Sequence, residues 1–209
     1  MTTWLNRFEQ WLRGAPDLRF TLQNWRLDDA HLYLDLVDKT PANVQALAME
    51  QQGSLEVEGQ VLFNAKEKPE WFHHGTDCKT ALAVLQEGLK SSSQLNLPPH
   101  RPDGVYSYSD VNLSSNSMYN AGAIIHFNGI GVVLPVTAKL DKVPLGGICR
   151  CSRSASKKLG AIGQEWIHHP DGCVVRRMTL KLATLQVEVQ AHTTNISFEI
   201  VYFPAFLIT

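Results

Sequence analysis

The feature that most constrains this chain is a period of two in its apolar residues. Leu18, Phe20 and Leu22, then Leu32, Leu34 and Leu36, then Leu55 with Val57 and Val61 with Phe63 alternate with other positions. Only an extended strand puts every second side chain on one face, so residues 1–65 are expected to be β-rich. The exception comes first: Trp4, Leu5, Phe8, Trp11 and Leu12 recur at helical spacing and stop at Gly14-Ala15-Pro16, which predicts one short amphipathic helix.

The charged segment Lys66-Glu67-Lys68-Pro69-Glu70 is the best boundary candidate. Beyond it, Ala81, Leu82, Val84, Leu85 and Leu89 predict a helix packed on one face, with Gly88 near its end, so His74-Gly75-Thr76 falls at a strand-to-helix turn. After a loop from Ser91 to Pro102, residues 104–108 read as a strand and Ser114 to Ala123 as a helix. Ile124 to Phe127 and Ile130 to Val136 are expected to be adjacent strands with Asn128-Gly129 as the tight turn between them. A long loop from Lys139 to Gly163 follows, then strand-like runs at Trp166-Ile167, Val174-Val175, Leu180 to Val189 and Ile196 to Phe203. The expected fold class is α+β with few helices, in two units: a β-rich extension over 1–65 and a second domain over 66–209.

A chain of 209 residues can bury one sizeable core, with or without a small appended unit, and 44% hydrophobic with 19% charged residues suits a packed fold. The formal net charge of -1 offers no global attraction to polyanions, yet the charges are uneven. Seven acids lie between Asp28 and Glu58 against one base, Lys39, whereas Lys139 to Lys158 holds six bases and one acid, Asp141. The acidic stretch reads as a solvated sheet face, a surface docked on the basic loop, or a mimic of nucleic acid. Among Cys78, Cys149, Cys151 and Cys173 the single close pair is Cys-x-Cys, without the gap that favours zinc, so free thiols and no metal are expected. The His73-His74 and His168-His169 pairs do not change that, because neighbouring strand residues point to opposite faces. With no signal-like start and no long apolar run, the expected location is the cytoplasm without membrane attachment, and delivery into another cell by a signal-independent route is compatible with it.

His74-Gly75-Thr76, Gly88-Leu89, Gly104-Val105-Tyr106, a serine-rich stretch leading to Tyr119, and Glu165-Trp166-Ile167 opening a strand follow one another in this order. The pattern, spanning about Trp71 to Leu182, resembles the His-Tyr-Glu arrangement of ADP-ribosyltransferases related to the poly(ADP-ribose) polymerases. The resemblance implies a split-sheet catalytic core, NAD as co-substrate, and Glu165, His74 and Tyr106 as catalytic residues. It implies NAD contacts from His74, Gly75, Thr76, Tyr106, Tyr119 and a serine, Ser115 or Ser117. The interval from Tyr106 to Tyr119 is slightly longer than the family's usual one.

Each residue type answers a chemical need. An imidazole can hydrogen-bond the adenosine ribose, and a glycine lets the backbone approach the nicotinamide amide closely. Two aromatic faces can hold the flat nicotinamide ring, each contact contributing about 0.5–1.5 kcal/mol beyond burial. Breaking the nicotinamide–ribose bond builds oxocarbenium-like charge, so a preplaced carboxylate stabilises the transition state more than the ground state.

The expected activity is mono-ADP-ribosyl transfer to a protein or nucleic-acid acceptor, in a toxin or defence effector that an antitoxin could neutralise. Gly163 stands two residues before Glu165, where arginine-modifying relatives carry Glu or Gln, which disfavours an arginine acceptor. The basic Lys139 to Lys158 loop is the candidate contact for RNA or DNA phosphates. An RNA 2'-phosphotransferase would share the His-Gly-Thr turn but needs an Arg-His dipeptide, which this chain lacks. The same residues would also suit a NAD glycohydrolase or a catalytically silent NAD or ADP-ribose-binding module.

Overall fold

The computed structural model describes residues 13, 18–39, 56–57, 60–61, 70–98, 102–111, 122–134, 140–150 and 165–185. Eleven strands and one α-helix are described in chain order: β1 (Phe20–Leu27), β2 (His31–Asp38), β3 (Glu56–Val57), β4 (Gln60–Val61), β5 (Phe72–Thr76), α1 (Cys78–Glu87), β6 (Val105–Tyr108), β7 (Ala123–Gly129), β8 (Val132–Leu134), β9 (Gly147–Arg150), β10 (Glu165–His168) and β11 (Cys173–Lys181). Pro170–Gly172 forms a 3-10 turn, and residues 182–185 are helical. The fold is therefore mostly β with some helix. The predicted helix at 4–12, residues 114–121 of the second predicted helix and the strand-like run at 196–203 lie outside the described residues, and Ala123, the expected end of that second helix, instead begins strand β7.

Nine strands make one mixed sheet in the order β1-β2-β11-β7-β5-β6-β10-β9-β8, antiparallel except for the parallel β8–β9 edge, and β3–β4 form a separate ladder. The period-two reading is observed at the N-terminal edge, where Phe20 and Leu22 of β1 and Leu32, Leu34 and Leu36 of β2 are buried. The Asp28 carboxylate closes this hairpin by accepting from the Ala30 and His31 N–H groups and from the Tyr33 hydroxyl. Those donors, Ala30 N–H first, hold its pKa down at about 2. β2 pairs with β11, Leu34 opposite Met178, and β1, β2, β5, β7 and β11 share one hydrophobic cluster. The sheet thus runs straight across the expected boundary between 1–65 and 66–209.

The acids of this edge are largely engaged within the fold. Asp38 is buried and pairs with Arg19 at 3.3 Å, and Asp35 pairs with Arg177 at 2.7 Å. Of the basic loop, Arg150 lies over the Trp166 ring at 5.4 Å, Lys142 is exposed, and Lys139, Arg153, Lys157 and Lys158 lie outside the described residues.

α1 begins where Asp77 accepts from the Thr80 N–H and ends at Gly88, whose φ of 76° suits a residue without Cβ. Its apolar side, Ala81, Leu82, Val84 and Leu85, covers the same sheet face as Phe72, Phe127, Val175 and Met178.

Three further expectations are overturned. β7 and β8 are not neighbours: β7 lies between β5 and β11, and β8 is at the far edge beside β9. Asn128-Gly129 is no turn but the end of β7, paired with Val174 and Cys173. Glycine is required there by packing, since a Cβ would come within 2.9 Å of the Phe72 ring and 3.0 Å of His168 Nδ1. The 139–163 loop is likewise interrupted, because Gly147-Ile148-Cys149-Arg150 is strand β9 between β8 and β10. The Leu180 to Val189 run leaves the sheet after Lys181 and turns helical from Leu182.

Candidate functional site

β5, β6 and β10 lie side by side, and they carry His74, Tyr106 and Glu165 respectively. Three residues far apart in the chain are thereby brought onto three consecutive strands. β5 pairs with β7 along its whole length, Phe72 opposite Phe127 through Thr76 opposite Ala123. With β6 it shares a single register pair, His73 opposite Tyr108. Past His73 the ladder between β5 and β6 stops, and the His74 ring takes its place: Nδ1 donates to the Tyr106 carbonyl oxygen at 2.6 Å. A carbonyl can only accept, so Nδ1 holds the proton and Nε2 keeps an acceptor lone pair in the neutral ring. Burial pushes the His74 pKa below its ordinary value, partly countered by that hydrogen bond, and the ring is neutral near pH 7.

Cross-strand register fixes which side chains share a face. Glu165 is opposite Tyr108, Ile167 opposite Tyr106, and Tyr108 opposite His73, so these five side chains belong to one face of the sheet. Alternation assigns His74 to the other face with Phe72 and Ile125, and what His74 reaches is the backbone of Tyr106, not its ring. The Tyr106 ring packs on Ile167, Val132, Leu134, Val143 and Cys149, and its hydroxyl donates to the Pro102 carbonyl at 3.0 Å. Glu165 is half-buried at the first position of β10. Gly75 and Thr76 are buried in β5. Ser115, Ser117 and Tyr119 lie outside the described residues.

No family model and no curated protein sequence matches the chain. The chemistry of the site therefore rests on its own residues.

The register adds two residues that sequence reasoning missed, Tyr108 and His126. Tyr108 sits between Glu165 and His73, and His126 is opposite His73 with their Nδ1 atoms 2.8 Å apart. His126 Nε2 lies 2.9 Å from the Thr179 hydroxyl. One Nδ1 must donate and the other accept, so the pair excludes a proton on both at once. Burial first, then His73 and Arg177, lower His126 to about 3, and burial also lowers His73. Tyr108 was legible as every second residue after Tyr106. The partnership of His73 with His126 spans 53 positions and has no local signal.

The imidazoles of the two adjacent pairs diverge, as strand alternation requires. His73 meets His126 and His74 meets Tyr106. His168 lies 2.8 Å from the Ser107 hydroxyl and edge-on to Phe72, whereas His169 caps the 3-10 turn by accepting from the Asp171 N–H. Cys78, Cys149 and Cys173 are buried free thiols, and Cys151 lies outside the described residues. Among the described residues no helix is long and apolar enough to cross a membrane.

Proposed function

We propose that this protein is an NAD-dependent mono-ADP-ribosyltransferase with an ADP-ribosyltransferase-like split sheet. The observation that carries the reading is the parting of β5 and β6 after His73, with His74 bridging the gap and Glu165 opening the next strand but one. In this reading the sheet edge beyond His73 receives the nicotinamide amide, and neutral His74 accepts a ribose hydroxyl at Nε2. Glu165 faces the ribose carbon, with Tyr106 beside it.

The bond from that carbon to the nicotinamide nitrogen breaks, its electron pair leaves with neutral nicotinamide, and positive charge develops on the ribose. A carboxylate in a half-buried setting opposes that charge most strongly at the transition state. An acceptor nucleophile on protein or nucleic acid then bonds the same carbon and loses its proton. A toxin or defence role, with an antitoxin partner, belongs to the same proposal.

Incubation of the chain with NAD labelled in its adenylate half and with total cell lysate, followed by separate protease and nuclease digestion, tests the reading. A labelled macromolecule that is lost with Glu165→Ala is expected, and the digestion names its class. Nicotinamide release without labelled product would make the protein a NAD glycohydrolase. A second reading, a silent NAD or ADP-ribose-binding module, is favoured by one observation: His74 belongs to the opposite face from Tyr106 and Glu165. NAD binding with no nicotinamide release would establish that reading instead.

A further inference from the structure

A pocket of about 480 Å³ opens over β1, β2, β7 and β11, away from the His74 gap. Its polar walls are Gln23, Asp35, Asn128, Arg176 and Arg177, with the Trp71 indole, 39% exposed, beside them. Register places it on the Glu165 face: Asp35 is opposite Arg177, Arg177 opposite His126, His126 opposite His73, and His73 opposite Tyr108. Two irregularities in the sheet feed this one pocket. The register of β1 slips between Leu22 and Asn24, at Gln23, and that of β11 between Val175 and Arg177, at Arg176. A bulge re-aims a side chain and puts two residues where the partner strand has one, so the second slip delivers two consecutive arginines to the same pocket.

Both guanidinium groups are fixed through Nε. Arg176 donates to the Asn128 side-chain oxygen at 3.2 Å, and Arg177 donates to Asp35 at 2.7 Å. Asn128 is itself anchored through its amide nitrogen to the Glu70 carbonyl at 2.9 Å. Both arginines are exposed and their terminal nitrogens carry further N–H donors. Asp35 offsets one of the two positive charges, which leaves the pocket with a surplus of one. A forked, pre-oriented pair of guanidiniums suits a phosphate, and an exposed indole alongside suits a flat ring. A bare anion would leave the indole uncovered, and an acidic peptide would cover it only through an aromatic side chain of its own, whereas every nucleotide carries a flat ring next to its phosphate.

We propose that this pocket binds a nucleoside phosphate, with the phosphate on Arg176 and Arg177 and the base against Trp71. The Gln23 amide and the Asp35 carboxylate supply polar partners for a base edge or a ribose hydroxyl. The unit bound is a free nucleotide or one nucleotide of a single strand, which share this chemistry. The proposal involves no bond breaking and stands whether or not the chain cleaves NAD.

The test titrates the intact chain with AMP by calorimetry, and with a fluorescein-labelled single strand of about ten nucleotides by anisotropy. AMP is expected to bind at least tenfold more tightly than adenosine or inorganic phosphate. Arg176→Gln is expected to weaken it about tenfold, since a hydrogen bond to a charged group is lost. Trp71→Ala is expected to weaken it about fivefold or more, and Arg176→Lys to recover part of the affinity. Where AMP also occupies the proposed NAD site, His74→Ala removes that component alone, and the component that depends on Arg176 and Trp71 should remain. A single strand that binds more tightly than AMP, with the same dependence on Arg176 and Trp71, identifies the chain form, and AMP binding without it identifies the free nucleotide. Absence of binding at millimolar ligand overturns the proposal. So does AMP binding that is lost in His74→Ala and indifferent to Arg176→Gln and Trp71→Ala.

Discussion

The two halves of the nine-stranded sheet are built differently, and the candidate site lies where they meet. In the larger half, β1-β2-β11-β7-β5, one face is packed under α1 with Phe20, Leu34, Phe72, Phe127 and Met178, and the other carries Asp35, Arg177, Thr179, His126 and His73. In the smaller half, β6-β10-β9-β8, each face carries an apolar cluster. Val105, Ile148 and Trp166 join the large cluster on one side, while Val132, Leu134, Val143, Cys149 and Ile167 make a second cluster on the other. The two halves are joined here by one register pair, by the His74–Tyr106 hydrogen bond, by the shared large cluster and by the contacts of Phe72 with Trp166 and His168. The fold spends little backbone pairing at the junction, and a side chain, His74, takes the place of the missing ladder there.

The largest way to break this comparison is Phe72→Ala. The ring is fully buried and touches both halves, so its loss is expected to cost about 3–5 kcal/mol of global stability. Urea unfolding should show one cooperative transition moved to lower denaturant, and two separated transitions would mean that the halves are independent. Next is Glu165→Gln, which keeps size and removes charge. Nicotinamide release is expected to fall ~10²–10³-fold with the urea midpoint little changed, and equal release in the variant rejects the assigned role.

Leu134→Ala strikes only the small cluster, with an expected cost of about 2–3 kcal/mol. Hydrogen exchange should quicken in β8 and β9 while β2 and β11 keep their protection, and a uniform increase would refute the distinction between the halves. The smallest effect is a pH dependence carried by the polar face. His126 is lowered from 6.5 to about 3, and His73 and His74 are lowered too, so the unfolded chain takes up protons that the fold refuses. The share of stability carried by His126 is therefore full above about pH 6.5 and declines as pH falls toward 3, at up to about 1.4 kcal/mol per pH unit, and His73 and His74 act in the same direction. His126→Asn should flatten the change in urea midpoint between pH 7.5 and 5, and an unaltered slope would show that His126 is protonated in the fold.

Much of the strand and helix content was legible locally. Alternation at Phe20/Leu22 and Leu32/Leu34/Leu36 identified the two N-terminal strands, and the spacing of Ala81, Leu82, Val84 and Leu85 with Gly88 near the end identified α1. Asn128-Gly129 misled because a glycine demanded by packing looks the same in sequence as one demanded by a turn. β9 was hidden inside a loop because four residues are too few for a periodic signal. The candidate residues His74, Tyr106 and Glu165 could be singled out by type and order, but not the faces on which their side chains lie.

What the sequence by itself determined is the local alphabet: which segments extend, where the helix begins and ends, and which polar residues sit at strand ends. What only the tertiary structure decided is adjacency. It joined β2 to β11, separated β7 from β8, set His73 against His126, and let β5 and β6 part after one pair. Strand periodicity is a property of neighbouring residues, whereas pairing is chosen by the burial and hydrogen-bond satisfaction of the whole sheet, to which residues over a hundred positions apart contribute together.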